Sequence, residues 1–147
     1  MPKNKIQFQP GLSLQSFQQK YGSEDLCRKQ LFQRKWTSGY KCPKCGHDRF
    51  YLLNCRSLYQ CRNCHHQCSL TSGTIFAASK LPLTVWFLAI FLLTQAKEGM
   101  SALSLGRFLG VSANGALRIK HKLQQVMKNA DDNLQLIGLV ELDDVYW

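Results

Sequence analysis

Residues 42–64 read CPKCGHDRFYLLNCRSLYQCRNC. Cys42 and Cys45 form one C-x-x-C pair and Cys61 and Cys64 a second, with fifteen residues between the pairs. That lies within the separation of about 15–20 residues at which two chelating turns share one tetrahedral metal. Each turn offers two sulfurs from one side at a Zn–S distance of about 2.3 Å, and its backbone N–H groups help carry the thiolate charge. The spacing therefore predicts a four-cysteine zinc ribbon in which Cys42, Cys45, Cys61 and Cys64 hold a structural Zn²⁺. Gly46 suits the positive φ that follows such a turn. In the second turn His65 stands at the equivalent place, where φ > 0 is uncommon. His47, His65, His66, Cys55 and Cys68 are close in sequence and are the alternative donors.

Between the two turns, Arg49–Leu53 and Ser57–Gln60 alternate and carry Phe50, Tyr51 and Tyr59, which predicts short β-hairpin strands. A unit of this size has almost no core. The metal must supply most of its folding free energy, on the order of 10 kcal/mol or more. Cys27, Cys55 and Cys68 read as small, partly buried residues. Seven cysteines without a secretory leader favour a reducing cytoplasm over a disulfide framework.

Upstream, residues 1–22 are Gln-rich with Pro10 and Gly11 and are expected to form a flexible arm. Ser23 followed by Glu24 and Asp25 is a helix start, and Leu26, Cys27, Gln30, Leu31 and Arg34 recur at helical spacing. A helix over about 24–35 thus leads into the ribbon, with Arg28, Lys29 and Lys35 on its polar face. Downstream, SLTSGTIF at 69–76 reads as a strand or turn. Pro82 suits the first position of a helix through Leu83–Ala96. Leu83–Leu93 is apolar except at Thr84, so this helix should be central and covered on several sides. Its eleven residues fall short of the about twenty a membrane span needs.

Residues 100–129 give a two-helix pattern. Ser101 caps a helix with Leu103, Leu105, Phe108 and Leu109, Gly110 stops it, and Ser112 caps a second helix. With the helix before them, these make the outline of a three-helix helix-turn-helix domain. On the last helix Ala116, Ile119, Leu123 and Val126 form the apolar stripe, leaving Asn114, Arg118, His121, Lys122 and Gln125 outside. Asn114, Arg118, His121 and Lys122 are the candidate DNA contacts, Asn114 suited to adenine and Arg118 to guanine. The expected organisation is an arm at 1–22, helix plus ribbon at 23–78, helix-turn-helix at 79–130 and a further segment at 131–147, in a small α+β chain.

Charge is unevenly spread. Residues 1–130 hold all 19 Lys and Arg against four acids, a balance of +15, while 131–147 hold no base and five acids, a balance of −5. The front section suits a polyanion. The last stretch, LQLIGLVELDDVYW, is apolar and β-prone with Glu141, Asp143 and Asp144 breaking in. A strand ending in carboxylates is a common support for a divalent cation, but one strand cannot make a site.

The order W-x-x-G-x-x-C-P-x-C-G at Trp36–Gly46, a second C-x-x-C, T-S-G-T-x-F at Thr71–Phe76, a Trp-bearing helix, a helix-turn-helix and V-E-L-D-D-x-Y at Val140–Tyr146 resembles the N-terminal part of a bacterial insertion-sequence transposase. The class is that with a zinc ribbon and a DDE-type, RNase H-like catalytic domain. The resemblance implies double-stranded DNA as partner, with terminal inverted repeats as the target, and a homodimer or a full-length transposase as further partners. It makes 131–147 the start of a truncated RNase H-like catalytic domain, places the first catalytic acid at Asp143, with Asp144 the alternative, and implies Mg²⁺ only in a full-length relative. The remaining acids have no counterpart here, so the expectation is a truncated transposase fragment that binds DNA and lacks activity alone. It would reside in the bacterial cytoplasm, at the nucleoid. The contrasting expectation is a zinc-ribbon transcription regulator or interaction module without terminal-repeat specificity.

Overall fold

The computed structural model describes residues 11–96 and 99–132. Val140–Tyr146, including Asp143 and Asp144, lies outside them. Helices α1 (Leu14–Tyr21) and α2 (Glu24–Lys35) are followed by strands β1 (Phe50–Leu53), β2 (Leu58–Cys61) and β3 (Gln67–Ser69). Helices α3 (Leu83–Gln95), α4 (Ala102–Leu109) and α5 (Ala113–Asp131) complete the described chain. The strands form an antiparallel sheet in the order β1-β2-β3, with Tyr51 opposite Gln60 and Gln60 opposite Gln67.

Helix starts follow the local chemistry. Ser13, Ser23, Ser101 and Ser112 each occupy the N-cap and accept a hydrogen bond from the backbone N–H three residues on, satisfying one of the first-turn donors. Pro82 is the N-cap of α3 rather than its first helical residue, and it offers no side-chain acceptor. The Glu24 carboxylate supplies what it lacks, accepting from the N–H groups of Leu83 and Thr84 at 3.2 Å each. A carboxylate here is favoured by the positive end of the helix dipole.

Helix α3 touches α1, α2, α4 and α5, so its apolar circumference is covered as its composition demands. Trp86 and Ala89 on α3, Leu105 on α4, and Ala116 and Ile119 on α5 are buried together with Cys27 and Leu31 of α2 and with Leu70 and Phe76. This core crosses the boundary expected at 78/79, because α2 packs onto α3. A second cluster of Tyr40, Cys42, Cys61 and Cys68 lies in the ribbon, and Phe32, Trp36 and Tyr59 border both clusters.

Several expectations are corrected. The arm over 1–22 is helical at Leu14–Tyr21, where Phe17 is buried and stacks on Phe91 at 4.6 Å. The Gln-rich composition masked the apolar spacing of Leu14, Phe17 and Tyr21. Val126 is not in the buried stripe of α5, and on α4 Leu103 and Phe108 are 56% and 65% exposed; no described element covers those faces. Cys55 is exposed at the hairpin tip while Cys27 and Cys68 are buried. Of the strand or turn expected over 69–76, the turn is what the residues beyond Ser69 adopt.

Candidate metal centre and nucleic-acid interface

The two chelating turns are built alike. Cys42 N–H donates to His47 O and Cys61 N–H to His66 O, both at 2.9 Å. Gly46 takes φ +72° and His65 φ +54° at matching places, so the strained position expected at His65 is present. The Sγ atoms of Cys42, Cys45, Cys61 and Cys64 all lie within 4.8 Å of one another. The cross-turn pairs Cys42–Cys64 and Cys45–Cys61 are each 3.5 Å apart, close to the edge of about 3.8 Å that a tetrahedron with 2.3 Å Zn–S bonds requires. No alternative donor joins this group among the described residues: Cys68 instead meets the Tyr40 hydroxyl at 3.8 Å, and Cys55 is at the hairpin tip.

The electrostatics fit a cation at the centre. Burial pushes the Cys42 thiol up, but hydrogen bonds from the backbone N–H groups of Cys45 and Lys44 outweigh it and bring the group down to about 6. The His47 N–H lowers Cys45 likewise. The His66 N–H favours the Cys64 thiolate, yet burial and the three neighbouring sulfurs push it up to about 12. Four thiolates at this separation repel one another, and a divalent cation removes the conflict. The four cysteines fit a structural Zn²⁺ with a closed coordination sphere. That ion would join the two turns and supply folding free energy that the small cluster around Tyr40 cannot.

Lys35, expected on the polar face of α2, is bound within the fold. Its Nζ donates to the carbonyls of Ser69, Leu70 and Ser72 at 3.1, 3.0 and 2.6 Å, tying α2 to the chain that leaves β3. Arg28 donates to Ser57 Oγ at 2.9 Å and lies 3.7 Å from Glu24. The SLTSGTIF segment thus has a structural explanation. Its turns leave carbonyls pointing outward that α2 collects, Gly73 takes φ +72°, and Phe76 enters the core against Trp86 at 5.5 Å.

Helices α4 and α5 are joined at Gly110, Val111 and Ser112. Gly110 is left-handed at φ +67°, and its N–H is bonded to Gly106 O. A Cβ at Gly106 would come within 3.2 Å of Val111 O and 3.4 Å of Ala116 Cβ, so this glycine lets the two helices approach; the sequence reading overlooked it. On α5, Asn114, Arg118 and His121 are exposed as expected. Leu117, 41% exposed, shares their face one turn after Asn114 and was also overlooked. Lys122 departs from expectation: its Nζ donates to Ile75 O at 3.3 Å and Ala77 O at 2.9 Å and lies 5.7 Å from the Trp86 ring centre. It fastens α5 to the loop before α3. Gln125 is bonded to Asn129.

Among the described residues, no helix is long and apolar enough to cross a membrane. Residues 22–67 match the family model of the transposase zinc-ribbon domain. The chain is also 28% identical, over 128 residues, to an uncharacterised protein in transposable element ISH50 of Halobacterium salinarum. That alignment covers 84% of this chain and 42% of the relative, so the chain spans about two fifths of the relative's length. No solved structure matches. Both similarities point to a transposase-related role.

Proposed function

We propose that this chain is the DNA-binding section of a transposase and that it recognises the terminal inverted repeats of its element. The observation that carries the reading is the pairing of a transposase-type zinc ribbon with a capped, outward-facing α5 fastened to it through the 69–77 loop. In this reading α5 lies in a major groove. Asn114 and Arg118 reach base edges there, while Leu117 suits a thymine methyl and His121 a phosphate. The excess of positive charge over residues 1–130 supplies the salt-dependent part of the affinity. Asp143, with Asp144 beside it, would be the first carboxylate of a Mg²⁺-dependent site for which further acids are required.

The test is binding of the zinc-loaded chain to duplexes carrying the element's ends, against random duplex of equal length, across a salt series. Terminal repeats should bind at least tenfold tighter, with affinity falling as salt rises, and a zinc chelator should abolish the preference. Equal binding to both duplexes would replace terminal-repeat recognition with the general regulator reading. Absence of binding at low salt would sink DNA binding altogether.

A further inference from the structure

We propose that the open face of the β1-β2-β3 sheet binds unpaired DNA nucleotides by stacking their bases on Tyr51 and Arg62. The sheet has two unlike faces. Phe50 and Tyr59 pack against Phe32 and Tyr40, so α2 and the chain after it cover these aromatic residues, while Leu52 on the same face is 52% exposed. Strand alternation puts the intervening residues on the opposite face. There the register aligns Tyr51, Gln60 and Gln67 in one row across all three strands. The guanidinium of Arg62 sits 4.3 Å from the Tyr51 ring centre, which places both on this face. The backbone N–H of Arg62 donates to Arg49 O, which holds Arg62 beside the start of β1.

The chemistry of that face selects its ligand. Tyr51 is 52% exposed, whereas the aromatic residues of the other face, Phe50 and Tyr59, pack against Phe32 and Tyr40. Arg62 borders it and no carboxylate belongs to the row; Asp48, next to Arg49 in sequence, lies 3.9 Å from His47 Nδ1 instead. Three strands about 4.8 Å apart, β1 and β2 of four residues and β3 of three, make a platform about 10 Å across and about 10–13 Å long, room for about two nucleotides. A duplex buries the flat surfaces of its bases in its own stack, so an exposed ring and a planar guanidinium have nothing there to cover. An unpaired base offers both surfaces, and stacking on an aromatic side chain contributes about 1–3 kcal/mol per base. Gln60 and Gln67 supply amide donors and acceptors, and the edge N–H groups of Arg62 reach the phosphates while its flat surface stacks. This surface is separate from α5 and does not depend on α5 reading duplex DNA.

The experiment measures fluorescence anisotropy of the zinc-loaded full chain with a labelled eight-nucleotide oligo(dT) and with a blunt duplex. Tyr51→Leu, which keeps bulk and removes the aromatic ring, should weaken oligo(dT) binding at least about fivefold and leave the duplex unaffected. Tyr51→Trp should retain or strengthen it. Arg118→Ala should do the reverse, weakening the duplex alone. Zinc content and far-UV circular dichroism check that each variant is folded; if Tyr51→Leu loses zinc, Arg62→Gln and Gln60→Ala take its place. The proposal is overturned if wild type does not bind oligo(dT), if the sheet variants bind it as wild type does, or if they weaken both ligands equally. A result in which Arg118→Ala changes nothing while Tyr51→Leu behaves as stated would sink the α5 reading and leave this one standing.

Discussion

Replacing Lys122 by Met separates the DNA contact expected from its place on α5 from the tie within the fold that its hydrogen bonds make. The substitution keeps an apolar stem and removes the ammonium that donates to Ile75 O and Ala77 O at 3.3 and 2.9 Å and lies 5.7 Å from the Trp86 ring. Fully buried, two charge-assisted hydrogen bonds would each contribute about 1.5–3 kcal/mol. Lys122 is exposed, so water competes and the pair falls to about 1 kcal/mol, the scale of surface charge interactions, with about 0.5 kcal/mol added by the ring. Lys122→Met should therefore destabilise the zinc-loaded chain by about 1–1.5 kcal/mol, a fall in Tm of about 3–6 °C for a chain of this size. The same substitution should leave the dependence of log K on log salt unchanged, because an ammonium already on carbonyls displaces no counterion from DNA. Each lost phosphate contact lowers that slope by about 0.9. Thermal unfolding and a salt titration of duplex binding read the two quantities. An unchanged Tm together with a slope reduced by about 0.9 would refute the structural role and return Lys122 to the DNA interface.

Three other perturbations test the rest of the fold. Gly106→Val should cost about 1–3 kcal/mol, since its Cβ would press on Val111 O and Ala116 Cβ; urea unfolding midpoints measure it, and a neutral result would mean α4 and α5 are less closely joined. His65→Gly removes a left-handed non-glycine residue at φ +54° and should stabilise the loaded ribbon by about 0.5–1 kcal/mol, read as slower zinc loss to a competing chelator; faster loss would show that the imidazole supports the site. Burial, with Glu24 one turn away, pushes the Cys27 thiol up to about 11 from 9.0. Its S–H donates to Tyr21 O, a bond the thiolate cannot make. The unfolded chain releases this proton first, so the stability it lends is intact below about pH 9 and fades as pH rises toward about 11. Cys27→Ala should flatten that part of the pH–Tm curve, and an unaltered slope would place its origin elsewhere.

The metal centre was legible because its determinants are local. The C-x-x-C spacing fixes two sulfurs per turn, and the positive-φ positions at Gly46 and His65 follow from the turn itself. Serine caps and the left-handed Gly110 are also short-range signals, and the helices they bound begin and end close to where those residues stand. Helix α1 was missed because three apolar residues among glutamines give a weak period, and its helical state is stabilised by a partner, Phe91, far along the chain.

What the sequence by itself determined, then, is the chemistry of each piece: four thiolates for one Zn²⁺, an apolar central helix, a polar face on α5 and a basic front section. Tertiary structure alone decided which polar groups remain free. Glu24 places its carboxylate on the start of α3, while Lys35 and Lys122 place their ammonium groups on carbonyls of the 69–77 segment. These partners lie 34 to 60 residues apart, beyond any periodicity. A charged side chain on a helix face looks the same in sequence whether it meets water, a phosphate or an unsatisfied backbone group; only folding brings the competing partner within hydrogen-bonding distance.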